Sequence, residues 1–251
     1  MATEPERPAV SIIGFGRFGP VLSRLLGGGF EVLAYDTGEI GARAEEAGAR
    51  VVSWDEATAA ATIFVAVPIR RFKEVINDLV AQVKPGTTVL DVCSVKVYPA
   101  TVMREYFQSD ITTIASHPLF GPDSYTAGFQ GLNMMMHPVS PRGLAYEAWT
   151  QYFSDQGLRV LEMSPEEHDR LAARSQGITH FIGRVLKEFG MAPTNIDTEG
   201  FRDLQMVVEQ TCHDSFELFH DLENFNPYTT EMVADVVSAM EQVKLAIARR
   251  D

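Results

Sequence analysis

Residues 9–13, Ala-Val-Ser-Ile-Ile, run without a break into Gly14-Phe15-Gly16-Arg17-Phe18-Gly19 and then into an amphipathic stretch over 20–26. A GxGxxG pattern alone is weak evidence, because glycine is common. Placed between a buried strand and a helix it becomes a dinucleotide-binding fingerprint. Gly14 permits the tight turn, Gly16 lets the backbone approach a pyrophosphate, and Gly19 lets helix and strand pack closely. The phosphates then face free N–H groups at the positive end of a helix dipole. Arg17 and Phe18 belong to the same loop and are expected to line the cofactor. A second apolar run, 31–35, ends at Asp36. A carboxylate there can accept hydrogen bonds from the adenosine ribose hydroxyls and repels a 2′-phosphate, so NAD is expected over NADP.

The alternation continues. Runs at 62–67, 87–92 and 111–116 read as buried parallel strands, and 72–83 reads as an amphipathic helix among them. Residues 159–162 look like one more strand. This rhythm predicts an α/β fold of Rossmann type, with a doubly wound, mostly parallel sheet. Val67-Pro68 closes the third strand, since proline cannot continue a sheet interior. Ser94 follows the fourth and His117 the fifth. Val67, Pro68, Ser94 and His117 are therefore expected on one rim, at the strand ends where such sheets bind ligands. Val67, Pro68 and Ser94 are expected beside the cofactor. A histidine in that position suits proton transfer near neutral pH, although position alone also allows a structural role in holding the loop.

From Ser164 the texture changes. Ser164-Pro165-Glu166-Glu167 has the form of a helix start, and the chain beyond it reads as helices. A dinucleotide-binding domain is expected over 1–163 and an all-helical domain for substrate and dimerisation over 164–251. The pattern predicts helices to about 189, over 201–222, and from 229 to 249. Gln176 and His180 fall one turn apart on one face. Gly177 between them costs about 1 kcal/mol relative to alanine, so a close approach is expected there. Leu204, Val208, Cys212, Ser215, Phe219 and Leu222 form one stripe, and Val233, Val237, Met240 and Ile247 another. Three such helices make a thin domain, so a homodimer is expected, with packing onto the first domain alone as the alternative. Asp214 falls on a stripe with Val207, Thr211 and Leu218. A carboxylate there needs a partner, either an arginine such as Arg184 or a cationic group of a ligand.

Composition excludes several classes. A formal net charge of −13 argues against nucleic acid or an anionic membrane as partner. No apolar run reaches the ~18 residues of a membrane span. The polar start at 1–8 resembles neither a signal nor a transit peptide. Cys93 and Cys212 form no CxxC pair, which suits a reducing cytoplasm, and no ligand spacing for a metal is present.

Several motifs are more specific than the glycines. They are Val67-Pro68-Ile69, Asp91-Val92-Cys93-Ser94-Val95-Lys96, Ser116-His117-Pro118-Leu119-Phe120-Gly121-Pro122-Asp123-Ser124, and Glu167-His168-Asp169 followed by Gln176 and His180. With the fingerprint, and in this order, they resemble the prephenate/arogenate dehydrogenase family of tyrosine biosynthesis over nearly the whole chain. The segments 175–180 and 209–216 are most similar to plant-type arogenate dehydrogenases. The resemblance implies oxidative decarboxylation of a cyclohexadienol. His117 would accept the C4 hydroxyl proton as hydride leaves C4 for the nicotinamide, Ser94 would orient that hydroxyl, and loss of CO2 would complete an aromatic ring. Gln176 and His180 would contact the substrate. Prephenate-specific bacterial members carry an arginine for a substrate carboxylate, with no counterpart found here. Plant-type members carry an acid where this chain has Asp214, which favours arogenate and its ammonium. Prephenate, or both substrates, is the alternative. Plant members also use NADP and lack an acid at the Asp36 position, a departure in this chain. A related hydroxyacid dehydrogenase would need a lysine where this helix offers His180. A cofactor-sensing protein without turnover would need neither His117 nor Ser94.

Overall fold

The computed structural model describes residues 7–122 and 128–249. The polar start at 1–6 and the motif residues Asp123 and Ser124 lie outside the described residues. The chain divides into two compact units, Met1–Pro165 and Glu166–Asp251.

The first unit runs β1 (Ala9–Ile13), α1 (Gly19–Leu26), β2 (Glu31–Tyr35), α2 (Gly41–Glu46), β3 (Ala49–Val51), α3 (Trp54–Thr58), β4 (Thr62–Val65), α4 (Ile69–Val80), β5 (Thr88–Asp91), α5 (Val97–Tyr106), β6 (Thr112–Pro118), β7 (Asn133–Pro138), α6 (Leu144–Asp155) and β8 (Arg159–Glu162). The strands form one sheet in the order β3-β2-β1-β4-β5-β6-β7-β8. All pairs are parallel except β6 with β7. The strand order reverses between β1 and β4, and sheets of this kind bind ligands at the carboxyl ends of the strands at such a point. The expected Rossmann-type sheet and helical second part are observed.

The central strands carry apolar residues on both faces because helices cover both. Val10, Ile12, Ile13, Ile63, Phe64, Val65, Val89 and Leu90 are all buried. On one side α6 contributes Trp149 and Phe153, whose rings meet Phe64 at 5.0 and 6.5 Å. Each such side chain removed from water stabilises the unit by roughly 1.5–3 kcal/mol. Two strands were not legible in the sequence. β3 is a three-residue edge strand, and β7 is built on Met134, Met135 and Met136, which lack the β-branched signature yet are fully buried. Strand β6 also runs further than expected, so His117 and Pro118 lie within it instead of following it.

The second unit comprises α7 (Pro165–Ala172), a π-helical turn (Ala173–Gly177), α8 (Ile178–Glu188), α9 (Glu199–Cys212), α10 (Phe216–Phe225) and α11 (Thr229–Ala248). Two expectations need correction. The first helix is continuous but widens into the π-turn at Gly177, where an added Cβ would come within 3.4 Å of the Met232 methyl and 3.7 Å of Glu223 Oε2. The second predicted helix, 201–222, is broken after Cys212. Ser215 leaves the helix and accepts a hydrogen bond from Leu218 N at 3.2 Å, starting α10 as an N-cap. Arg184 Nη2 donates to the carbonyls of Thr211, Asp214 and Ser215 at 3.3, 2.7 and 3.4 Å. A guanidinium there satisfies carbonyls left over at the end of α9.

Candidate active site

The first unit builds its site from strand ends. Ile13 pairs with Tyr35 on one side and Val65 on the other, Val65 with Asp91, and Asp91 with Ala115. Gly14, Asp36, Pro68, Ser94 and His117 all come within three residues of those positions, so register alone places them along one rim. Gly14 has φ +91° and an added Cβ would lie 2.6 Å from the Ala66 carbonyl oxygen, so only glycine fits. Gly16 is exposed, and an added Cβ there would meet nothing within 4 Å. Nothing on the protein side therefore obstructs close approach of a pyrophosphate. No side chain caps the first turn of α1, which leaves its N-terminal end available to an anion. Gly19 differs from expectation: its close neighbour is the buried Phe15 ring of the loop itself, at 2.8 Å from an added Cβ, and not the strand.

Asp36 is half-buried. Its Oδ2 accepts from Phe15 N at 2.6 Å and its Oδ1 from Gly38 N at 2.9 Å. Two backbone donors fix the carboxylate beside the fingerprint loop while leaving lone pairs for further donors. Arg43 was not singled out in the sequence. Its Nη2 donates to the Phe15 carbonyl at 2.5 Å, so a guanidinium sits against the same loop. Arg17 is exposed, Val67 half-buried and Pro68 exposed. The Phe18 ring meets Phe120 at 6.1 Å, which ties the fingerprint to the loop after His117.

Ser94 is half-buried in the turn after β5, and His117 is 4% exposed on β6, opposite Met135. Beneath them lies a buried ion pair, Asp91 with Lys96, both fully enclosed. Its carboxylate also accepts from Cys93 N and Ser116 N. The motif that contains Ser94 is legible in the sequence, whereas the partner of this pair, Ser116, is 25 positions away and is not.

In the second unit Gln176, His180 and Arg184 follow one face of the π-turn and α8. Gln176 Oε1, His180 Nδ1 and Arg184 Nε are buried without a hydrogen-bond partner in the described chain. Burial lowers the His180 imidazole below its ordinary value, Asp214 opposes that, and Arg184 adds to it. Asp214 thus sits close enough to act on His180, half-buried in the break between α9 and α10 and not on a continuous stripe. Arg184 meets the Asp214 backbone carbonyl. His168 Nδ1 contacts Asp169 Oδ1 at 2.8 Å, both buried, and Asn226 Nδ2 donates to the Asp169 carbonyl at 2.8 Å, so this histidine is part of the unit's interior. His213 and His220 are exposed. A cavity of about 190 Å³ in this unit is lined by Arg170, Ala173, Arg174, Tyr228 and Glu231 and holds none of the expected site residues. The strand rim, by contrast, brings His117, Ser94 and the fingerprint loop together by register. Among the described residues no group of three or more His, Cys, Asp or Glu side chains could hold a metal.

Glu223 has both carboxyl oxygens buried without a hydrogen-bond partner, and the nearby Thr229 hydroxyl is in the same state. Burial pushes this carboxyl up to about 7, with Thr229 acting weakly in the opposite direction. The folded protein therefore holds a proton that the unfolded chain releases, and stability falls as pH rises from the usual carboxyl range through neutrality. Glu223→Gln should raise the melting temperature at pH 8 by roughly 2–4 °C, about 1 kcal/mol after allowing for partial solvent screening, and by less at pH 5. Melts at both pH values test this, and an equal shift at both would exclude ionisation as the cause.

Residues 29–138 match the family described as "Prephenate dehydrogenase, nucleotide-binding domain", and residues 185–251 match "TYRAAT1-like, C-terminal domain". The chain is 31% identical over 245 residues to arogenate dehydrogenase 2 (chloroplastic) of Arabidopsis thaliana, covering 94% of this chain and 68% of that one. It is 32% identical to arogenate dehydrogenase 1 (chloroplastic) of the same plant, covering 98% of this chain but only 40% of that one. Among solved structures, prephenate dehydrogenase from A. aeolicus, in complex with hydroxyphenyl propionate and NAD+, superposes with a TM-score of 0.78 at 17% identity, covering 98% of this chain and 93% of that one.

Proposed function

The chain belongs to the prephenate/arogenate dehydrogenase family of oxidoreductases, and from that premise we propose that it converts L-arogenate to L-tyrosine by oxidative decarboxylation with NAD. The observation that carries this reading is the parallel register that aligns the fingerprint loop, Asp36, Ser94 and His117 on one rim. The nicotinamide ring, when bound, supplies the hydride acceptor. The open Gly16, the uncapped start of α1 and the oriented Asp36 carboxylate are the residues that would hold that cofactor, with Arg17, Phe18, Val67 and Pro68 beside it. His117 takes the proton of the C4 hydroxyl as hydride departs from C4, and Ser94 orients that hydroxyl toward the imidazole. The electron pair of the breaking bond to the ring carboxylate then closes the aromatic ring as CO2 leaves. Arogenate and NAD+ thus give tyrosine, CO2 and NADH, with the proton that His117 took returned to the C4 oxygen as the ring becomes a phenol, so that no net proton is released.

In this reading Gln176 and His180 contact the substrate, with His180 kept neutral by burial. Asp214 reads the substrate side chain: its charge favours the ammonium of arogenate and opposes the keto acid of prephenate. The unmodified protein should prefer arogenate. Asp214→Asn should move the kcat/KM ratio toward prephenate by about tenfold, ~1.4 kcal/mol. Following NADH formation with each substrate and both proteins decides the matter; an unchanged ratio with lowered stability would make Asp214 structural and remove the preference for arogenate. A homodimer belongs to the same reading, supported by an apolar face on α11 where Val237, Met240, Val243 and Ile247 are 48–77% exposed. A cytoplasmic location is the one that two cysteines outside any disulfide suit. Among the described residues no helix is long and apolar enough to cross a membrane.

A further inference from the structure

We propose that Asp91 and Lys96 are positioning residues, which hold Ser94 and His117 in a fixed relation by clamping the two segments that carry them. This rests on the functional reading above and extends it to residues that never touch substrate. Asp91 closes β5, and Lys96 ends the turn that follows. Asp91 gathers four contacts, three of them at its carboxylate. Oδ1 accepts from Cys93 N at 3.0 Å and from Lys96 Nζ, and Oδ2 accepts from Ser116 N at 3.3 Å, while the Asp91 main-chain carbonyl accepts from Ser116 Oγ at 2.5 Å. Lys96 Nζ donates in addition to the Ser116 carbonyl. Ser116, the residue immediately before His117, is therefore held at its N–H, its carbonyl and its hydroxyl. The turn that carries Ser94 is held on both sides, at Cys93 and at Lys96.

The pair is costly as a means of filling space. Both side chains are 0% exposed, and a buried ion pair is often no more stabilising than well-packed apolar residues of the same volume. What it supplies is direction. Every contact is a hydrogen bond with a preferred geometry, and a fully satisfied buried network specifies one arrangement. Burial pushes the Asp91 carboxyl up while Lys96 and the two backbone donors oppose it, so the carboxylate leans on these partners. Proton transfer with concurrent hydride loss rewards such placement, because a displacement of ~1 Å at reacting groups can cost about 10²-fold in rate.

The test compares Asp91→Asn, Lys96→Met, the double variant Asp91→Asn/Lys96→Met, and Ser116→Ala. Each single charge variant should melt well below the double, since it leaves one buried charge uncompensated. The double variant should bind NAD within about threefold of the unmodified protein, by fluorescence quenching. Its kcat should fall at least ~30-fold while KM for the cyclohexadienol changes by less than about threefold. Ser116→Ala removes one contact without burying a charge, and its kcat should fall about 3–10-fold; it decides the question if the double variant does not fold. A readout independent of turnover is the imidazole Cε1–H resonance of His117, assigned by its loss in His117→Asn. It should be one sharp signal in the unmodified protein and broadened or multiple in the double variant and in Ser116→Ala. A folded double variant with kcat within about threefold of the unmodified protein and an unchanged His117 signal would show that the pair only stabilises. An unmodified protein inactive with both substrates would overturn the functional reading, while the resonance would still report on the clamp.

Discussion

His117→Asn should leave NAD binding intact and lower kcat by about 10²–10⁴-fold, the usual value of a positioned acid/base group. Asparagine keeps a similar shape on β6 but cannot accept and release a proton at neutral pH. The buried setting of His117 opposite Met135 makes a small, shape-preserving change the appropriate one, because a larger residue would disturb the β6–β7 pair. Ser94→Ala should cost less, since orientation is lost but the base is kept. Single-turnover measurements with saturating NAD separate chemistry from binding. A His117→Asn protein with near-normal kcat would place the base elsewhere, with His180 next to be tested.

The second large effect is expected in cofactor choice. The unmodified protein should use NAD with kcat/KM about 10²-fold above NADP, ~2.7 kcal/mol, because a 2′-phosphate would meet the Asp36 carboxylate. That carboxylate cannot swing aside cheaply, since Phe15 N and Gly38 N hold both of its oxygens. Asp36→Ser should narrow or reverse the preference. Arg43, held on the Phe15 carbonyl, would then offer a guanidinium to the phosphate, so Arg43→Ala on that background should restore discrimination against NADP. Equal use of both cofactors by the unmodified protein would remove Asp36 as the determinant.

Local rules were legible in the chain. Strands β1 and β2 have the ends that their apolar runs mark, because burial on both faces requires unbroken apolar sequence. The Gly14 turn was legible for a similarly local reason, a positive φ that only glycine adopts easily. The break at Ser215 is also marked locally. Its hydroxyl competes with the helix for a backbone N–H, and a serine in an otherwise apolar stripe is the mark of it. The three methionines of β7 carried no such mark, since methionine fills any core.

The sequence alone therefore determined the sheet type, the cofactor loop, and the rim on which Asp36, Ser94 and His117 stand, because each follows from periodicity or from a residue at a strand end. Tertiary structure alone decided what those residues lean on. Ser116 meets Asp91 across 25 positions of chain, Arg43 reaches Phe15 across 28, and Glu223 packs against the π-turn at Gly177. Such partners are chosen by strand register and helix packing, which depend on every side chain in the layer, and no single segment carries enough information to specify them.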